Sequence, residues 1–357
     1  MLKKIDFCCV KKNYDVMKLR AIKSALRPQV HDSWPSNYLA IDEVYRNTES
    51  KYPPISRDAS ITADDFRRHF EMSPAICQGL VDTDVMGYWK MNTLCLHLGS
   101  CVVQCGEDCA GNELEIQLRL FVETYMNYCD DRNPMLVFDS IILESVEVQE
   151  YLKKSGFVFP GIFKDQDFMK VLSPDSRPPH EWLIIGPARS GSPIHTDPFA
   201  THAWNALLEG RKRWVVFHPN TPLHLLRIGL TQDSLSEAFA WDDIWGWFNE
   251  EIPDIKADVD AYFQNECDEN QFWCFDFIQE PGEIVFMPSR WHHAVINLTD
   301  TVAITQNYCS ETNLRDCVGE MSDPILGREF IESMQLAFPK LMLKNFGSNE
   351  LPDYYSP

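Results

Sequence analysis

The amino-acid sequence predicts a mainly β protein with helical segments at both ends. Three observations predict it. After about residue 180, short β-prone runs (182–185, 214–217, 284–287, 294–296 and 302–305) alternate with turn signals such as Pro281-Gly282 and Leu298-Thr299-Asp300. That rhythm belongs to a sandwich or barrel of short strands. Helical periodicity is concentrated outside this region, before residue 130 and again near 325–345. Hydrophobic residues make up 45% of the chain and tryptophan occurs ten times, enough for a packed core and against disorder.

In chain order, residues 1–60 are expected to form a basic helix and an extended arm. Val16, Leu19, Ile22 and Leu26 recur at helical spacing until Pro28, and Pro35, Pro53 and Pro54 punctuate the arm. Residues 61–148 are expected to form an α/β region packing on the barrel. Within it, Thr62 and Asp65 resemble a capping box, and Phe66 and Phe70 sit one turn apart. Val102–Gly106 reads as a strand and turn, Leu114–Tyr128 as a helix (Leu118, Phe121, Val122, Tyr125), and Leu136–Asp139 as a strand. Residues 149–325 are the barrel, interrupted by an acidic, tryptophan-containing segment 220–280 with weak helical stretches at 235–249 and 254–265. Its length marks it as an inserted lid or loop region. Residues 326–357 close the chain as a helical segment (Phe330, Met334, Leu336, Ala337).

Charge narrows the partners. The net charge is −21, yet residues 1–30 carry eight Lys/Arg against Asp6 and Asp15, a local +6 that leaves −27 on the rest. An acidic body is a poor generic polyanion binder and favours basic partners such as Lys/Arg-rich peptides. Nucleic acid is therefore not the expected partner. The twelve cysteines show no CxxC pair and no disulfide-like spacing, which fits free thiols in a reducing compartment; Cys101, Cys105 and Cys109 give no zinc-ligand spacing. The first residues hold too short an apolar run for a signal peptide, and no window reaches the roughly 18 apolar residues of a membrane span. A soluble, intracellular protein is expected.

The chemistry centres on Gly191-Ser192-Pro193-Ile194-His195-Thr196-Asp197-Pro198. In an extended chain, residues i and i+2 face the same way, so His195 and Asp197 converge. One further histidine would complete the 2-His-1-carboxylate facial triad of non-haem Fe(II) sites. About a hundred residues on, Trp291-His292-His293-Ala294-Val295 offers two adjacent histidines at a strand start. Adjacent strand residues face opposite ways, so only one of the two can point into a barrel.

Several segments together resemble JmjC-domain oxygenases in order and spacing. They are His195-Thr196-Asp197-Pro198, the run from Ala203-Trp204-Asn205 to Arg211-Lys212-Arg213-Trp214, Pro281-Gly282-Glu283 with Trp291-His292-His293, and Ala303-Ile304-Thr305-Gln306-Asn307. The branch of bifunctional arginine demethylases and lysyl-hydroxylases is the most similar. Ala25-Leu26-Arg27-Pro28, Cys105-Gly106-Glu107-Asp108 and Phe138-Asp139-Ser140 resemble it too, so the likeness covers most of 20–330. The implied fold is a double-stranded β-helix, a jelly-roll or cupin-like barrel with flanking N- and C-terminal helices.

The resemblance implies Fe(II) held by His195, Asp197 and His293, with His292 standing where an aromatic is usual. It implies 2-oxoglutarate as co-substrate and O2 as oxidant. Lys212 matches the lysine that binds the distal carboxylate, Thr305 its hydroxyl partner and Asn205 its amide. Asn307 shares the face of Thr305, and Ser192 stands where the branch often has threonine. Phe121 falls roughly where the branch has a tyrosine touching the co-substrate, so a phenol hydrogen bond is expected to be missing. The implied reaction is hydroxylation of a protein side chain, lysyl C5 first, with methyl-arginine demethylation by the same chemistry as the alternative. Two other readings stand beside it, a catalytically weak JmjC scaffold that works by binding and a cupin-like isomerase or storage barrel. Nuclear residence, with a cytoplasmic pool besides, is carried over from the family, and a homodimer contact through the C-terminal helices is a further expectation.

Overall fold

In the computed structural model, residues 56–58, 61–107, 113–129, 134–227, 244–263 and 273–347 are described. The helix expected over 14–30 and nearly all of the arm 31–60 lie outside these residues. The strands in chain order are β1 (Ser56–Asp58), β2 (Ala75–Cys77), β3 (Val102–Glu107), β4 (Glu113–Gln117), β5 (Val137–Asp139), β6 (Glu181–Gly186), β7 (Gly191–His195), β8 (His202–Glu209), β9 (Lys212–Phe217), β10 (Cys274–Gln279), β11 (Ile284–Met287), β12 (His292–Asn297) and β13 (Thr301–Tyr308). The main helices are α1 (Ala63–His69), α2 (Thr83–Tyr88), α3 (Met91–Leu98), α4 (Val146–Ser155), α5 (Ile252–Phe263), α6 (Leu314–Glu320), α7 (Pro324–Ala337) and α8 (Pro339–Phe346).

The last eight strands build a double-stranded β-helix. Strands β11, β8, β13 and β6 form one sheet in that order, and β10, β9, β12 and β7 form the facing sheet. All of these pairings are antiparallel. Strands β1, β2 and β5 extend the larger sheet to seven, so the region before residue 149 contributes strands to the barrel as well as packing on it. Side-chain alternation then divides each strand between two cores. Trp214, Val216, Phe275, Phe277, Val285, Met287 and Val295 fill the barrel interior. Leu183, Ile185, Val302, Ile304 and Tyr308 face the other way, onto Phe66, Trp89, Leu94 and the rest of the N-terminal region. Close approach matters at one joint. Gly191 lies against the backbone of Val295 and Ile296, where a Cβ would collide with the Val295 carbonyl, so a larger residue would push β7 off β12.

Local signals explain the flanking elements. Thr62 accepts from the Asp65 amide at 3.1 Å and its hydroxyl reaches the Asp65 carboxylate at 2.7 Å, which starts α1 at the expected place. Ser145 caps α4, and Gly156 ends it in the left-handed conformation. Asp323 and Pro324 start α7.

Two expectations are corrected. Leu114–Tyr128 is not one helix: Glu113–Gln117 pairs with β3 as a hairpin, and helical turns begin only at Leu118. The period-two pattern of Glu115, Ile116, Gln117 and Leu118, with Ile116 and Leu118 buried, prevails over the weaker helical spacing. Second, the segment 220–280 is not wholly an insertion. Its end, Cys274–Gln279, is a barrel strand paired with β9, and Phe275 and Phe277 point inward. Within that segment, Ile244–Phe263 is helical, and α5 buries Ile255 and Val259 against the outer face of β9 and β12. The stretch 235–243 lies outside the described residues. Among the described residues no helix is long and apolar enough to cross a membrane.

Candidate metal centre

The open end of the barrel brings three side chains together. One ligand atom from each of His195, Asp197 and His293 lies within 4.8 Å of the others, the one such cluster of at least three His, Cys, Asp or Glu among the described residues. His195 ends β7 and His293 is its cross-strand partner on β12. The imidazole centroids are 4.2 Å apart. Strand pairing stops at His195, so Asp197 does not share a ladder with it. The backbone at Asp197 nevertheless stays extended (φ −65°, ψ 145°) as it enters the turn Pro198–Ala200. Of the paired histidines, His293 is the one that faces the cluster. His292 lies on the opposite face, buried with the outer strand positions.

Hydrogen bonds orient the donors. His195 Nδ1 lies 2.7 Å from the Pro193 carbonyl, and His293 Nδ1 lies 2.9 Å from that of Trp291. A carbonyl only accepts, so each Nδ1 carries a proton and each Nε2 is the nitrogen left to ligate. Asp197 Oδ1 accepts from Asn307 Nδ2 at 3.1 Å, whereas Oδ2 is buried without a partner, 3.8 Å from His293 Nε2. Burial pushes the His293 imidazolium down to about 4, aided by His195 and opposed by Asp197, so the ring is neutral near pH 7. Two imidazole Nε2 atoms and one orphaned carboxylate oxygen form a donor set for a divalent transition metal.

Deeper in the barrel lies Lys212. Its ammonium is buried and donates to Asn297 Oδ1 at 3.0 Å; Asn297 Nδ2 in turn donates to Ser190 Oγ at 2.9 Å. Burial lowers Lys212 to about 7. Such a cation is poised to gain from an arriving anion. On the facing sheet Asn205 and Thr305 are cross-strand partners, the Thr305 hydroxyl donates to the Trp204 carbonyl at 2.7 Å, and Asn205 Oδ1 is buried with no partner. Asn307, two residues from Thr305, holds Asp197 and the Thr201 hydroxyl. Ser192 sits opposite Val295 at the edge of the smaller sheet.

Phe121 does not enter this interior. It is fully buried in the core behind the larger sheet, with Val122, Tyr125 and Ile185, as an apolar packing residue. The expected loss of a hydrogen bond to co-substrate there has no geometric support.

Sequence reading missed Asn297, Ser190 and Gln279. Asn297 is four residues beyond His293 on the same strand face, a period-two signal that could have found it. Gln279 accepts from Trp214 Nε1 at 2.9 Å and donates to the carbonyls of Asn205 and Glu283, tying the two sheets together. Arg213 faces away from Lys212, as alternation requires. Rather than meeting solvent it pairs with buried Asp276 at 2.8 Å, and Lys256 of α5 pairs with the same carboxylate. Burial alone would raise Asp276, yet the Arg213 hydrogen bonds and both cations hold it below the usual carboxylate range.

Comparison with known proteins accords with this arrangement. Residues 182–308 match the JmjC domain, hydroxylase family. The chain is similar to the bifunctional arginine demethylase and lysyl-hydroxylase psr-1 of Caenorhabditis briggsae, 34% identical over 278 residues, covering 74% of this chain and 66% of that protein. Its similarity to psr-1 of Caenorhabditis elegans is 31% over 302 residues, 83% of this chain and 71% of that protein. Over a shorter stretch it is similar to the 2-oxoglutarate and iron-dependent oxygenase JMJD4 of Danio rerio, 31% identical over 137 residues, 38% of this chain and 28% of that protein.

Proposed function

This chain belongs to the JmjC-domain hydroxylases, and from that premise we propose that it oxidises side chains of basic proteins, lysyl C5 foremost. It is an iron- and 2-oxoglutarate-dependent oxygenase. The observation that carries the substrate-oxidising reading is the convergence of His195, Asp197 and His293 with a buried, unpartnered Asp197 Oδ2. His195 and His293 would hold iron through Nε2 and Asp197 through Oδ2. Asn307 keeps the carboxylate turned so that only one oxygen is offered.

When bound, iron with 2-oxoglutarate supplies oxidation of a C–H bond by dioxygen, releasing succinate and carbon dioxide. The chain's own task is placement. Lys212 would take the distal carboxylate, and the lowered pKa of its buried ammonium supports that role, because a neighbouring anion restores the charged form. Thr305 would add a hydroxyl, and the orphaned Asn205 Oδ1 gains a partner if a hydroxyl or water accompanies the co-substrate. Trp214, Phe277 and Val295 wall the space and keep bulk water out.

A net charge of −21 supports a Lys/Arg-rich substrate over nucleic acid. Methyl-arginine demethylation by the same chemistry is the second reading, supported by the name of the worm relatives. Nuclear residence rests on the family resemblance. A homodimer contact through α7 and α8 is supported by the exposure of Ile325, Leu336 and Leu343 there. The test is succinate release by the purified protein with Fe(II), 2-oxoglutarate and basic peptides, abolished in Asp197→Ala. Mass spectrometry of the peptides then reads a gained oxygen for hydroxylation or a lost methyl for demethylation. No turnover with any basic peptide would refute the enzyme in favour of a binding scaffold.

A further inference from the structure

Beside the three ligands lies a small, shallow cleft that the oxygenase reading leaves without a role. Asn307, which holds Asp197, forms one wall, and Pro198, next in the chain after Asp197, forms another. Pro178, Pro179 and Phe199 make the remaining surface largely apolar, and Arg177 is its cationic member. The cleft therefore adjoins the Asp197 side of the ligand cluster.

The hydrogen bonding of Arg177 is incomplete. Its Nη2 pairs with Asp167, whose side chain is fully buried. The other oxygen of that carboxylate accepts from the amides of Met169 at 3.0 Å and Cys309 at 3.3 Å. Arg177 Nε–H, by contrast, is buried and has no acceptor. Burying a donor without a partner is unfavourable, and native interiors rarely tolerate it. Nearly every other polar group at this edge is satisfied within the fold: the Thr201 hydroxyl donates to the Pro198 carbonyl, and the backbone N–H of Asn307 donates to the carbonyl of His180. Three prolines cannot supply a backbone N–H of their own. Among the residues that line the cleft, Arg177 is thus the one with a buried side-chain donor left unused, and its neighbours there are largely apolar.

We propose that this cleft is a docking subsite for the substrate polypeptide, in which Arg177 donates through Nε to an uncharged carbonyl oxygen of the segment flanking the oxidised residue. This rests on the oxygenase reading above. Asp167 already neutralises the guanidinium, so a second carboxylate would add an unpaired negative charge in a poorly solvated site, whereas a carbonyl adds none. The carbonyl is one of the main chain or of an Asn or Gln side chain; both present the same acceptor. The guanidinium geometry is what the site uses, because a lysine could keep the ion pair with Asp167 but could not present a second, fixed donor.

Arg177→Lys tests this with the fold preserved. Binding is measured by fluorescence anisotropy of a short labelled peptide with a central lysine flanked by arginines, asparagines and glutamines, without iron or 2-oxoglutarate. Loss of the hydrogen bond is expected to weaken binding roughly tenfold or more, the effect of removing a bond from a charged donor. In turnover the same factor is expected in KM with kcat unchanged. Replacing peptide amides one at a time by esters, which are weaker acceptors, is expected to reproduce the loss at one position in the wild type and to have no effect there in Arg177→Lys. If no ester matters and an Asn/Gln substitution does, the acceptor is a side-chain amide. Equal peptide affinity in wild type and Arg177→Lys overturns the subsite, as does failure of the wild type to bind the peptide or a fall in kcat with KM unchanged. Peptide binding that responds to Arg177→Lys without succinate release overturns the oxygenase reading and leaves the subsite standing.

Discussion

Lys212→Met gives a test in which two structural costs oppose each other. The ammonium is fully enclosed, and burial lowers it from 10.5 to about 7, so at pH 7 the native state must either hold a desolvated charge or release a proton that the unfolded chain keeps. At 1.36 kcal/mol per pH unit, the gap between 10.5 and about 7 costs the folded protein ~5 kcal/mol. Methionine has nearly the same length and removes that cost, but it leaves Asn297 Oδ1 without its donor, a loss of about 1–3 kcal/mol. The first effect is larger. The protein without co-substrate is therefore expected to gain about 2–4 kcal/mol in denaturant unfolding at pH 7.

The sign of the pH dependence comes from linkage. Because the folded-state value is depressed, the unfolded chain binds more protons between pH 7 and 10.5, and stability rises with pH over that window. The stability gap between variant and wild type is thus expected to be largest at and below pH 7 and to shrink as pH rises toward 10.5. At the same time 2-oxoglutarate affinity, read by calorimetry, is expected to collapse in the variant, and in the wild type to weaken as pH rises past 7 and the ammonium deprotonates. A variant less stable than wild type at pH 7, or a stability gap indifferent to pH, would refute the reasoning.

Two other substitutions probe how the site is held. Asp276→Asn removes the carboxylate between Arg213 and Lys256 and leaves both cations buried; about 3–5 kcal/mol of stability is expected to be lost in urea unfolding, and an unchanged midpoint would show that α5 does not depend on this triad. Asn313→Ala removes an amide that donates to the Ala200 carbonyl at 3.0 Å and accepts from the Ser310 amide at 2.7 Å. It is expected to weaken Mn(II) or Fe(II) binding by about 10–100-fold in a metal titration, while a drop in melting temperature with metal affinity intact would assign Asn313 to folding alone.

Much of the metal centre is legible in the sequence because its signals are local. His-x-Asp spacing, strand alternation around His293 and the Thr62 cap each involve a few neighbouring residues, and the fold realises them. What is not legible depends on register. Lys212 meets Asn297 only because β9 and β12 pair with those two residues opposite each other, and Arg213 finds Asp276 only because β10 lies along the other edge of β9. Strand β10 stood hidden in an acidic stretch. The Asp276 side chain counts as polar in any pattern, yet its charge is absorbed by two cations that arrive from distant positions. Likewise Glu113–Gln117 fits two periods, and pairing with β3 decides between them.

The turn after Asp197 shows why a three-residue motif is not by itself a metal site. Strand pairing ends at His195, so nothing in the ladder fixes the carboxylate. The chain then turns at Pro198, and both Phe199 (φ 55°) and Ala200 (φ 47°) adopt the left-handed conformation, without a glycine to ease it. Each such residue costs of order 1–3 kcal/mol and persists only where the surroundings overdetermine it. Here they do. The Ala200 carbonyl accepts from Ser289 Oγ at 2.7 Å, Asn313 Nδ2 at 3.0 Å and Cys317 Sγ at 3.4 Å, donors from the loop before β12, the loop before α6 and α6 itself. Asn307 adds a fourth restraint, gripping Asp197 and Thr201 on either side of the turn. The loop before β12 also leads to His293, so one set of hydrogen bonds relates the second histidine to the carboxylate. The spacing of His195 and Asp197 allows convergence; the residues around 289, 307 and 313 impose it.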